Sequence, residues 1–318
     1  MNQFRWQPKR GMDPDALARL RKQFPRPGEL MGEAWFIGGQ RRMFPELNGN
    51  LALLDVNFLH EVLREIAGGT SSFGPFREWD QWFHYLLAGL LTRAHDKCFA
   101  SLLESLMNAF FAIYPQGILH LPYKRFEADV LSTLGQCMME PQCWNGEDVA
   151  LETLLENSYG HPERVWFDLD ASGDLSASMF FCLKYLPVEQ IGEWLQSIVD
   201  ITSPVWRMQL MTWLVGANGM LTGAIGWPSQ LQEGARPNVG WEWSHCLRPE
   251  LAVHDSSAMA AQDAFLPHAS RTRALAFFHD YFNEDRFLQW LSGIDGDAEL
   301  ANSLYDMPDR FEQLYVNL

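Results

Sequence analysis

No run of about 18 apolar residues occurs in this 318-residue chain, so no membrane-spanning helix is predicted. No C-x-x-C pair occurs either. The five cysteines, Cys98, Cys137, Cys143, Cys182 and Cys246, are odd in number and widely spaced. That suggests reduced, core-packed thiols in a cytoplasmic setting rather than a disulfide framework. The opening stretch "MNQFRWQPKRGMDPDALARLRKQF" is basic and has no apolar h-region, so no secretory signal is read. Strand-type alternation is scarce: "EAWFIGG" near residue 35 is the best instance, and it is isolated. No G-x-S-x-G, G-x-x-x-x-G-K-[ST], H-E-x-x-H or G-x-G-x-x-G occurs, which removes the common signatures of hydrolases, nucleotide-binding loops and zinc peptidases.

What is abundant is apolar helix. The chain is 47% hydrophobic, with 13 Trp and 21 Phe, enough for a large aromatic core. "MDPDALARLRKQF" has Asp13 as a cap and Pro14 at the first helical position, and "DVNFLHEVLREIAGG" has Asp55 as a cap. "FREWDQWFHYLLAGLLTRAHD" repeats apolar residues at helical spacing. Helices are likewise predicted in "FASLLESLMNAFFAIY", "KRFEADVLSTLGQCM", "GEDVALETLLENS", "LSASMFFCLKYL", "PVEQIGEWLQSIVD" and "SPVWRMQLMTWLVGA", and in four shorter segments after residue 268. The predicted class is all-α. Helix starts recur every 15–27 residues between 55 and 205, the size of HEAT- or armadillo-type pairs, so an α-solenoid or an irregular helical bundle is expected. The expected organisation is a basic, irregular arm over 1–50 and a helical body over 51–318, broken by an irregular insertion at 218–258.

Charge is unevenly placed. The net charge is −16, yet residues 1–42 hold nine Lys or Arg against four acids, leaving 15 basic and 36 acidic residues in the rest. Such a body repels nucleic acid and anionic lipid and attracts basic partners. The 218–258 segment also carries Trp227, Trp241 and Trp243, the side chain most enriched at interface hot spots. These three are the candidate binding residues, with packing into the core as the competing role.

Two motifs bear on metals. "DLDASGDLSASM" resembles an EF-hand loop over about nine residues, with Asp168, Asp170 and Ser172 at its first three ligand positions, Gly173 at the turn and Asp174 next. The twelfth position is Met179, a soft thioether where a hard cation needs a bidentate carboxylate. A turn with Asp174 capping the helix that follows is the simpler expectation. Three His-Asp pairs, His95-Asp96, His254-Asp255 and His279-Asp280, resemble the dipeptide that phosphohydrolases of the HD superfamily place on helices around divalent metal. Helical spacing turns His95 and Asp96 toward water and His279 inward beside Phe278. A metal set from His254, Asp255, His268 and His279, with His279 and Asp280 as catalytic candidates, is the enzymatic alternative. The first expectation is a non-enzymatic adaptor or immunity-type protein for a basic partner protein, with no cofactor, no metal, no nucleic acid and no membrane partner.

Overall fold

The computed structural model describes residues 3–31, 42–73, 77–150, 170–231, 237–249, 264–296, 304 and 306–317. Helix begins where the sequence supplies a cap. The Asp13 Oδ1 accepts from the amides of Asp15 and Ala16 (2.8 and 3.2 Å), and Pro14 opens α1 (Pro14–Gln23). Phe24 ends it, because the residue before Pro25 is steered out of helical backbone. Asp55 accepts from the amides of Asn57 and Phe58 at the start of α2 (Val56–Phe73). Then follow α3 (Arg77–Leu90), α4 (Leu102–Ile113) and the short α5 (Phe126–Leu131). After them come α6 (Gly173–Tyr185), α7 (Val188–Val199), α8 (Pro204–Thr222), α9 (His268–Tyr281), α10 (Glu284–Asp295) and α11 (Met307–Tyr315).

The all-α expectation holds among the described residues, with one exception. Part of the stretch expected to begin a helix at "GEDV" instead forms a two-stranded hairpin, β1 (Trp144–Asn145) and β2 (Asp148–Val149). Gly146 has φ +68° and sits at the first of two turn positions, where a tight hairpin requires that conformation. The "EAWFIGG" strand candidate lies outside the described residues.

The core is one connected set of apolar side chains running from Phe4 to Tyr315. Helix α2 packs on α4, α4 on α6 and α7 on α9, while α9, α10 and α11 all lie against α8. The basic arm joins this core. Trp6 is buried, meets Trp194 and Trp206 edge-on at 5.4 and 6.0 Å, and donates from its indole to the Gly135 carbonyl (2.8 Å). Arg19 on α1 forks onto Asp129 on α5 (Nη2–Oδ1 2.7 Å, Nε–Oδ2 3.0 Å), and Tyr123 donates to the same carboxylate, so this buried acid is fully paired.

The insertion begins later than expected. Helix α8 runs through residue 218 to Thr222, and Gly223 ends it at φ +85° as a left-handed cap. The described remainder, 224–231 and 237–249, folds back on the body through short 3-10 turns.

Candidate functional site

The ends of α1, α2 and α4 and one face of α3 enclose a half-open cleft of about 720 Å³. Phe24 and the Pro25–Gly28 strand of irregular chain supply one wall. Thr70 of α2 and Asp80 and His84 of α3 supply the floor, and Tyr114–Pro122 supplies the other wall. Proline builds those walls: Pro25 and Pro27 follow α1, Pro115 follows α4, and Pro122 closes the loop. Gly117, at φ +93°, lets the loop reverse, with its amide donating to the Tyr114 carbonyl (3.2 Å). The rim exposes Leu119 and Leu121, which are 52% and 46% accessible.

The floor is polar. Asp80 and His84 lie one helical turn apart and therefore face each other, with Oδ1 3.5 Å from Nδ1. The other ring nitrogen, Nε2, lies 2.6 Å from the Tyr114 hydroxyl. Because a carboxylate can only accept, the proton belongs on Nδ1, and Nε2 accepts from the tyrosine. Phe24 stacks on the imidazole at 4.5 Å. Burial pushes His84 down to about 4, with the Asp80 backbone carbonyl opposing only in part, so the ring is neutral at ordinary pH. Burial also raises Asp80 to about 6 and pushes the Tyr114 hydroxyl up. Thr70 adds a buried Oγ1 with no hydrogen-bond partner. None of these four was singled out in the sequence, although the four-residue spacing of Asp80 and His84 in "WDQWFH" was the available signal.

The residues that the sequence did single out lie elsewhere. Trp227 and Trp241 are buried, at 3% and 5% accessible. Trp241 packs on Phe111, Phe180 and Phe265 and donates to Asn108 Oδ1 (3.2 Å). Neither ring is presented at the surface. Trp243 is half-buried, with φ +62° and the Arg64 guanidinium 4.8 Å over its face.

The calcium-like stretch is used for internal docking. Asp168 lies outside the described residues. Asp170 Oδ1 accepts from the Asn238 amide (2.6 Å), and the Ala171 amide donates to the Asn238 carbonyl (3.0 Å). The expected cap is corrected: Ser172 occupies that position, and Asp174 lies in the first turn of α6, buried and accepting from the Ser101 hydroxyl. Beside it, Glu104 Oε2 accepts from the Glu242 amide (2.7 Å), and a Cβ on residue 173 would strike that carboxyl group. Met179 is fully buried.

The histidines do not converge. His254 and Asp255 lie outside the described residues. His245, His268, His279 and Asp280 are exposed. His279 is thus not inward: α9 buries only the narrow stripe Ser270, Ala274 and Phe278, and the ring lies against Tyr315 at 5.6 Å. His95 is the opposite correction. A 3-10 turn at Leu91–Arg93 ends the helical register, and the ring turns inward to bond the Cys137 carbonyl (3.0 Å). Among the described residues, no three His, Cys, Asp or Glu side chains are grouped to hold a metal. Comparison with protein-family models, curated proteins and solved structures finds no match to this chain.

Proposed function

We propose that the chain is a non-enzymatic binding protein, of adaptor or immunity type, whose cleft seats a basic and otherwise apolar segment of a partner protein. The observation that carries this reading is the Asp80 carboxyl group. It lies on the polar floor of a cleft with largely apolar walls, its side chain 44% accessible, and no Lys or Arg side chain stands within ion-pair distance of it among the described residues. His84, held neutral, does not compensate it. A guanidinium or ammonium group entering the cleft offsets the desolvation that now raises Asp80. Leu119, Leu121 and the wall prolines meet the apolar flanks, and Thr70 Oγ1 awaits a partner. The net charge of −16 favours approach of a basic chain.

Calorimetry with N-acetyl-Leu-Arg-Leu-amide and its Leu-Gln-Leu counterpart tests the reading. The arginine peptide binds, more tightly as pH rises through about 6 where Asp80 ionises. Asp80→Asn weakens it by about tenfold or more, the scale of one charged hydrogen bond. Equal binding of the two peptides, or indifference to Asp80→Asn, would sink the proposal.

A further inference from the structure

A second cavity, of about 580 Å³, opens on the N-terminal segment, with none of its lining residues shared with the cleft, and its charge is opposite to that of the molecule. Three guanidinium groups line it: Arg5 and Arg10 from the segment before α1, and Arg125 from the turn before α5. All three are exposed. Among the described residues Arg5 makes no side-chain hydrogen bond or ion pair, and Arg10 reaches only Gln7 Oε1 at a long 3.3 Å. Arg125 stands 3.9 Å from Asp129, whose oxygens are already taken by Arg19 and Tyr123.

The neighbouring acids are committed as well. Asp13 caps α1 with its Oδ1, and Glu140 accepts from the Met12 amide (2.6 Å). The cavity lining thus carries three Arg against the single acid Asp13, with Arg125 sharing Asp129 with Arg19 and with no ion pair on Arg5 or Arg10 among the described residues, a basic excess in a chain that is otherwise acidic.

The backbone holds them there. Trp6 anchors the segment in the core, and the Gly11 amide donates to the Met139 carbonyl (2.8 Å). Between these anchors Lys9 adopts φ +68° and Gly11 φ +63°, which turn the chain so that Arg10 projects. Left-handed backbone is unfavourable for lysine and persists only where the surroundings impose it.

An independent observation lies in the cavity wall. Gln136 is 7% accessible; its Nε2 donates to the Arg5 carbonyl (3.2 Å), while its Oε1 is buried without any partner. An orphaned buried acceptor calls for a donor. The dianion of a phosphate monoester has no proton to give, whereas a ligand hydroxyl supplies one.

We infer that this cavity binds a phosphorylated, hydroxylated small molecule, its phosphate on Arg5, Arg10 and Arg125 and a hydroxyl on Gln136. Guanidinium forks match phosphate oxygens in pairs, which a lone ammonium cannot do.

Calorimetry on the full chain with inorganic phosphate, glucose and glucose 6-phosphate provides the test. Glucose 6-phosphate binds with a dissociation constant of about 1 mM or tighter, phosphate more weakly, and glucose not at all. Arg10→Ala and Arg125→Ala each weaken glucose 6-phosphate by about tenfold. Lys124→Ala, an exposed cation outside the cavity, leaves it unchanged. Gln136→Leu brings glucose 6-phosphate to the level of phosphate, with the phosphate affinity retained as the sign that the cavity is intact. No binding of either phosphate compound, or an equal loss from Lys124→Ala, overturns the site. Phosphate binding as tightly as glucose 6-phosphate overturns the assignment of a hydroxylated ligand.

Discussion

Glu104 shows how a single residue sets a pH response. Its side chain is buried, with Asp174 on α6 and Glu242 adding negative charge and Lys97 opposing them. Burial, then repulsion from Asp174, raises it to about 8, and burial raises Asp174 to about 6. In the unfolded chain both acids release their protons at the usual carboxylate pH. Between there and about pH 8 the folded protein therefore holds more protons than the unfolded one, so stability falls as pH rises. Two other sets act with the opposite sign. His84 and His95, held down near 4, cost stability as pH drops below about 6.5. Lys184, lowered to about 7 by burial, gains stability as pH rises above that value. Comparing variants isolates the glutamate. Glu104→Gln keeps an acceptor for the Glu242 amide but cannot ionise. Urea titrations should show it gaining about 1–3 kcal/mol on wild type between pH 5 and pH 8. Parallel stability curves for the two proteins would show that Glu104 does not titrate in that window.

At the scale of elements, Gly216 shows why α8 and the chain after it must be considered together. A Cβ at this position would lie 2.7 Å from the Pro237 carbonyl oxygen and 2.5 Å from Val239 Cγ1. Alanine is the better helix former by about 1 kcal/mol, yet here it collides with docked backbone. Gly216→Ala should therefore destabilise by about 1–3 kcal/mol, the range for overpacked sites, as read by a lowered urea midpoint. An unchanged or raised midpoint would mean that the 237–249 segment does not depend on its seat against α8. The same contact shows what the sequence made legible. Helices with caps and a 3.6-residue stripe, such as α1 and α2, could be read locally because the signals lie within one turn of each other, and α8, buried on nearly every face, was legible from its Ser203 cap and Pro204. The cleft could not. Its parts come from the end of α1, the end of α2, one face of α3 and the loop after α4, and only packing brings Phe24 onto His84 or Tyr114 to its Nε2. Composition alone sets the Trp-rich stretch apart, and composition cannot distinguish a Trp that meets a partner from one that meets Phe111 and Phe180. Helical geometry extended past Leu90 misplaces His95, because the helix stops there.

Over the whole molecule, the basic arm decides whether there is one cooperative unit. A sequence with nine basic residues ahead of an acidic body invites a division near residue 50. The packing joins the two parts instead. Trp6 lies among Trp194 and Trp206, its amide donates to Ser197 Oγ (2.9 Å), and its indole donates to Gly135. One side chain therefore ties the start of the chain to α7, to α8 and to the 3-10 turn after α5. Removing a buried Trp costs about 3–5 kcal/mol through lost transfer energy and the cavity left behind. If the arm were a separate unit, Trp6→Ala would loosen residues 3–13 and leave the main transition in place. If the core is continuous, the variant lowers the main transition itself. The expected result is that Trp6→Ala shifts the helical circular dichroism signal and the Trp fluorescence signal together, by the same temperature interval. A main transition that stays at the wild-type temperature would separate the arm from the body.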